Sequence, residues 1–259
     1  MLSIILRGML LFFLSFSTSI LADNNNKFII YSYHQASPFI TGEKTGLTYD
    51  FANYLSRKHK NLNIEVLVLP RKRLDRILSV SPQNIIIPWV SPKWFSSIIT
   101  DQFEWSTEIM PDASIYIWKN HTPHEFYKPQ DLIGFNLGGI RGYRYLNVDP
   151  LVRNRQILRS DSNNEKQLLQ MLLQKRVDVG IIPFSAAQYL IQEFSYEDAF
   201  NLSSHHQFSR QLMVRSQSES MNDSLMNTVS NMKTDQSWQL IMQKYGLITH
   251  PETLKQATR

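Results

Sequence analysis

The chain contains no cysteine. Disulfides and thiolate metal sites are therefore excluded. So is the lipid-modified cysteine that tethers many exported bacterial proteins. Long hydrophobic runs are also missing beyond the N-terminus, where a membrane-crossing helix would need about 20 apolar residues. Charge of one sign is scarce: the formal net charge is +5 over 259 residues, which suits solubility and an anionic ligand but is no nucleic-acid footprint. No nucleophile elbow of the Gly-x-Ser-x-Gly kind occurs. There is no internal repeat and no low-complexity run. Glycine is sparse, at nine residues, and a third of it falls in one place.

That place is Phe135-Asn136-Leu137-Gly138-Gly139-Ile140-Arg141-Gly142-Tyr143-Arg144-Tyr145. A short apolar run enters a turn with three glycines, and a helix start is expected at Gly142. Glycine allows positive φ or close approach to a ligand. First-turn N–H groups from Tyr143 onward would then favour an anion, with Arg141 adding a full charge and Tyr143 a flat face. An ordinary strand-to-helix turn is the alternative. The spacing is not the dinucleotide fingerprint, and no phosphate-loop lysine follows.

Residues 1–22 read as a secretory signal peptide: Arg7 is the only charge, Met9–Leu14 is wholly apolar, and Ala22 offers a small residue at the cut. An uncleaved anchor is the alternative. Cleavage would leave 237 of the 259 residues and lower the charge from +5 to +4, enough chain for one large domain or two lobes. Export without a lipid anchor points to the periplasm.

Strand and helix alternate along the rest. Phe28–Tyr31, Asn63–Leu69, Ile85–Ile87 (cut short by Pro88), Ala113–Trp118, the Phe135 run, Val177–Ile182 and Gln211–Arg215 read as strands. Gly46–Lys60 reads as a helix burying Leu47, Phe51 and Leu55, and the next shows Arg71, Lys72, Arg73 and Arg76 away from its buried face; Arg71-Lys72-Arg73 reads as a solvated face, with a docking patch for a membrane partner as the alternative. Ser162-Asn163-Asn164-Glu165 matches a capping box. Ser185–Glu193 reads as a short helix, and two closing helices bury Leu225, Val229, Met232, Trp238 and Tyr245. The pattern predicts an α/β chain with mostly parallel strands. The tail to Arg259 reads as polar and loose.

Five segments in order resemble one family. They are Ser37-Pro38-Phe39; Gly46-Leu47-Thr48-Tyr49-Asp50-Phe51-Ala52; Asp131-Leu132-Ile133-Gly134 running into Leu137-Gly138; Lys175-Arg176-Val177-Asp178-Val179; and Trp238-x-x-Ile241-x-x-x-Tyr245-Gly246. Over nearly the whole mature length the chain resembles the extracellular solute-binding proteins of the polar amino-acid family (periplasmic binding protein, type II). The resemblance implies two α/β lobes joined by two crossing hinge strands and closing over a solute. Lobe 1 would comprise residues 23–112 and 208–250, and lobe 2 residues 113–207. The glycine turn would then form the lobe 2 wall of the cleft, with Gly142, Tyr143 and Arg144 meeting the ligand.

Two departures shape the expected ligand. Family members that read α-amino acids carry Thr-Pro-Glu-Arg after the third strand; here Ser91-Pro92-Lys93-Trp94 stands instead. Their aspartate for the ammonium falls here near Pro183, followed by Phe184. A buried ammonium would go unpaired at such a site, so an ordinary free amino acid is not expected. The remaining cleft set is Tyr33, His34, Phe39, Trp89, Ser91, Trp94, Arg141, Tyr143 and Phe184. It suits a flat body plus a negative or carbonyl group, although Tyr33, Phe39 and Phe184 serve equally well as core. His121, His124 and Glu125 read as solvated loop residues, because Pro123 breaks the helix that zinc spacing would require. The expectation is a monomeric binding protein without cofactor, metal or nucleic-acid partner, serving a small ligand and an inner-membrane permease or receptor. The alternatives are an enzyme on the same fold, with His34 as the evident acid or base, and a ligand-responsive sensor without transport.

Overall fold

The computed structural model describes residues 27–80, 83–247 and 254. The signal peptide expected at residues 1–22 and the loose tail lie outside the described residues, Leu254 apart. The strands are β1 (Lys27–Ser32), β2 (Asn63–Val68), β3 (Ile85–Val90), β4 (Glu104–Trp105), β5 (Met110–Lys119), β6 (Asn136–Ile140), β7 (Leu158–Ser162), β8 (Val179–Pro183) and β9 (Phe200–Arg215). The helices are α1 (Leu47–Lys58), α2 (Arg71–Leu78), α3 (Ser97–Thr100), α4 (Asp149–Arg153), α5 (Glu165–Leu173), α6 (Phe184–Phe194), α7 (Glu219–Asn231) and α8 (Gln236–Lys244). The sheet runs β2-β1-β3-β9-β5-β8-β6-β7, with β4 also on β9.

Two long strands join the halves. β9 has 16 residues; its first part lies antiparallel to β5 from Phe200 to Arg210, and its last part pairs with β3 from Gln211 to Arg215. Sequence alone shows only Gln211–Arg215 as strand, because Asn201 to Gln207 is a polar run without apolar alternation. Among the described residues, parallel pairing is confined to β1 with β2 and β3, and to β6 with β7 and β8. Every contact of β5 and β9 is antiparallel. The expected mostly parallel sheet is therefore a mixed one, since strands that cross between two halves must run back along their neighbours.

Each half has its own core clusters. Phe28, Ile30, Leu47, Phe51, Leu55 and Ile86 pack with Leu225, Val229 and Trp238, so the C-terminal helices return to the first half. Ile115, Ile117, Leu168, Leu172 and Ile182 form the second core. α1 forms where Leu47, Phe51 and Leu55 recur on one face, all fully buried. Truncating Phe51 to alanine there would cost about 3–5 kcal/mol. Ser218 and Asp235 cap α7 and α8 through Met221 N and Ser237 N. The cap of α5 is Asn164, which accepts from Gln167 N at 2.9 Å; Ser162 lies two residues too early for the expected capping box.

β3 continues through Pro88 to Val90 and does not stop at the proline. Its ladder shifts register between Ile87 and Val90. At the bulge Trp89 takes φ 67°, so the missing proline N–H interrupts no ladder bond.

Candidate functional site

The loops that follow the parallel strands meet where the halves join. β3 ends at Val90 opposite Gln211 of β9, and β1 runs parallel beside it to Ser32. From the other half, β8 ends at Pro183 opposite Ser114 of β5, and β6 runs parallel to β8 up to Ile140. Strand C-termini of both halves thus face the β5–β9 crossing, the usual ligand side of open α/β sheets.

An ion pair sits in that crossing. Arg210 Nε donates to Asp112 Oδ2 at 2.6 Å, and the two side chains are 2% and 0% exposed. Asp112 is saturated: Oδ1 accepts from Ala113 N (2.8 Å) and Ser185 N (3.0 Å), and Oδ2 also accepts from Ser185 Oγ (2.7 Å). Ser185 N belongs to the first turn of α6, where the helix dipole favours a carboxylate. Arg210 Nη1 donates to the Trp89 carbonyl at 2.8 Å. That carbonyl is turned out of the ladder by the positive φ of Trp89, a conformation that costs a bulky residue about 1–3 kcal/mol. The guanidinium lies over Phe39 (4.6 Å), Phe208 (5.2 Å) and Trp94 (5.7 Å). None of this is visible in the sequence, where Arg210 is one arginine in a polar run.

His34 stands beside this group, its ring 4.1 Å from Tyr33, 5.3 Å from Phe39 and 6.0 Å from Trp94. Its Nε2 is sealed and without a hydrogen-bond partner. Burial, then the charges of Arg210 and Arg71, hold its pKa well below the usual value, so the ring is neutral. Burial likewise pushes the Tyr33 phenol up to about 12, against the pull of Arg71. Lys72, Arg73 and Arg76 are on the expected solvated face; Arg71, 35% exposed, also bonds Asp75 at 2.6 Å and the Trp94 carbonyl at 2.8 Å, and stacks on Phe95 at 4.2 Å. It pins the Pro92–Trp94 turn in place.

Several expected ligand residues are core. The Trp89 side chain is fully buried, donates to Thr48 Oγ1 at 3.0 Å and stacks on Trp238; it offers the junction its carbonyl and not its ring. Phe39 and Phe184 are buried at 2% and 3% exposure, Phe39 beneath Arg210 and Phe184 in the second core. Ser91 is buried beside a groove of about 510 Å³ that Lys93, Asp112 and Phe208 also line.

The glycine turn differs from its expectation. No helix begins at Gly142; the chain stays irregular until α4 at Asp149. Tyr143 N is spent on Ile140 O (3.0 Å) and Arg141 N on Ser162 O (2.9 Å). Gly142 is needed for its φ of 85°, since nothing lies near its missing Cβ. Gly138 serves packing, because a Cβ there would meet Leu168 at 2.2 Å. Arg159, which sequence reasoning passed over, braces the turn by donating to the Ile140 and Tyr143 carbonyls. Arg141, Gly142 and Arg144 are exposed. The Tyr143 hydroxyl donates to Glu165 Oε1 at 3.3 Å. Burial raises the Glu165 carboxyl. Among the described residues, no group of three or more histidine or acidic side chains could hold a metal ion.

No family model matches the chain, and no curated protein does. Solved structures do. An ancestral arginine-binding protein bound to arginine is similar over 85% of this chain and 98% of its own, at TM-score 0.60 and 14% identity. A substrate-binding protein of an ABC uptake transporter from Streptococcus pneumoniae, with bound histidine, matches over 85% and 92% at TM-score 0.61 and 15% identity. An ancestral amino acid-binding protein described as a precursor of cyclohexadienyl dehydratase matches over 85% and 96% at TM-score 0.62 and 12% identity. With its two halves, its two crossing strands and these likenesses, the chain has the two-lobed α/β fold of type II periplasmic binding proteins.

Proposed function

We propose that the protein is a periplasmic solute-binding protein that closes its lobes on a small polar or aromatic, anionic solute and presents it to an ABC permease or membrane receptor. Lobe 1 would be residues 23–112 with 208–250, and lobe 2 residues 113–207. The observation that carries this reading is the convergence of strand ends from both halves on a crossing that holds a buried arginine. Half-buried Tyr33 and Trp94, with exposed Arg141, Gly142, Tyr143 and Arg144, would form the two rims of that junction; Tyr143 is near enough to Arg210 to feel its charge. A solute touching both rims would favour the closed form over the open one. Contacts across the junction already exist in the ring pair Tyr189–Tyr245, 6.1 Å apart.

Mass spectrometry of the solute retained by the natively exported protein tests this directly. A small anion released on denaturation, absent from an Arg141→Ala preparation that melts normally, is the expected result. Retention by that variant equal to the parent would count against the glycine-turn contact.

An enzyme on the same fold is the second reading. It is favoured by the raised carboxyl of Glu165 under the Tyr143 hydroxyl, and one similar structure is described as a dehydratase precursor. Chemical change of the retained solute on incubation would decide for it.

A further inference from the structure

The geometry points to Arg210 as the anion anchor of the interlobe junction, and to an aryl carboxylate lacking an ammonium group as its ligand class. This rests on the solute-binding reading and names the residue and the chemistry within it.

A guanidinium has five N–H donors in one plane. Arg210 commits Nε to Asp112 and one Nη1 hydrogen to Trp89 O. Nη2 has no partner among the described residues, yet it is not among the sealed polar atoms. The faces of the group are covered by Phe39, Trp94 and Phe208, so what remains is the in-plane Nη edge. That edge is the fork that matches a carboxylate with two parallel hydrogen bonds. Trp94 and Phe208 are only half-buried and meet edge-on at 5.1 Å, which supplies apolar surface for a flat body next to the fork.

Asp112 already accepts four hydrogen bonds, Asp75 is held by Arg71, and Glu108 on the groove wall is held by Lys233, so each of these carboxylates already has a cation. An ammonium would also sit against two arginines. The positive φ of Trp89 is an independent mark of a recognition corner: the bulge that aims the carbonyl at Arg210 is held against its own preference.

The test is calorimetric titration of the mature protein with phenylacetate, phenylacetamide, L-phenylalanine and phenethylamine, repeated on R210K and W94A. Lysine keeps the charge beside Asp112 and loses the fork. Phenylacetate should bind the parent about 10- to 100-fold more tightly than its amide, the range of one charge-assisted contact. L-phenylalanine and phenethylamine should bind more weakly than phenylacetate. R210K should lose the acid-over-amide preference while still melting cooperatively, and W94A should weaken acid and amide alike. Equal affinity for acid and amide, tighter binding of either amine, no binding of any probe, or an unchanged preference in R210K would overturn the assignment. Should R210K not fold, the acid-against-amide comparison on the parent decides alone. A retained solute of another class, held independently of Arg210, would sink this inference and leave the solute-binding reading standing. A natively exported protein that retains no solute would sink that reading itself.

Discussion

Arg141 follows β6 and Arg210 lies on the crossing strand β9, and the two are opposite in kind. Arg141 is exposed on a turn braced from behind by Arg159. Arg210 is 2% exposed, ion-paired and ringed by aromatics. The first can be removed without disturbing a core; the second is part of how the lobes are joined, because its partners Asp112, Trp89 and, through Asp112, Ser185 come from both halves. A charge that holds a hinge and still keeps donors unspent can couple a ligand to the hinge, whereas a rim charge can only add affinity.

Breaking the buried pair should give the largest effect. Asp112→Ala strands a buried guanidinium and should cost about 3–5 kcal/mol in denaturant unfolding. The double variant Asp112→Leu with Arg210→Met should recover much of that loss. A double variant as unstable as the single one would show that the pair is not the unit.

The glycine turn gives the next effect. Gly142→Ala has open space but must keep φ 85°, so it should cost about 1–2 kcal/mol by left-handed strain alone. A larger loss would mean that the turn packs against something. Acid titration gives a smaller, graded effect. Burial first, then neighbouring His206, lowers the His205 pKa to about 4. The unfolded chain, at an ordinary value near 6.5, takes up that proton first. Stability present above about pH 6.5 is therefore lost as pH falls towards 4, and His205→Asn should flatten the fall in melting temperature over that window. His34 acts in the same direction. At the bottom of the scale, Arg141→Ala should leave stability within about 0.5 kcal/mol of the parent while solute retention drops.

The alternation of elements and the burial of Leu47, Phe51, Leu55 and Trp238 were legible because amphipathic periodicity is local. The turn at Gly142 was legible because glycine marks positive φ. Its supposed helix was not there, since the first-turn donors were needed to close the turn on Ile140 and Ser162. Trp89 was misplaced because Pro88 reads as a strand end, and only the bulge explains how the strand continues and buries the indole. Arg210 was illegible for a deeper reason: a lone arginine after Phe208-Ser209 reads as solvent-facing, and its burial depends on Asp112, nearly a hundred positions earlier. The partners of Arg71 were equally illegible, since helical spacing cannot show that the Trp94 carbonyl and the Phe95 ring lie beside it.

Small-angle scattering of the parent, stripped of solute by unfolding and refolding and then given back its own released solute pool, tests the central claim most directly. The account predicts a smaller radius of gyration on addition and no change in R210K. A solute that binds the parent without shrinking it, or shrinks both proteins equally, would contradict a ligand clamped between two lobes at Arg210.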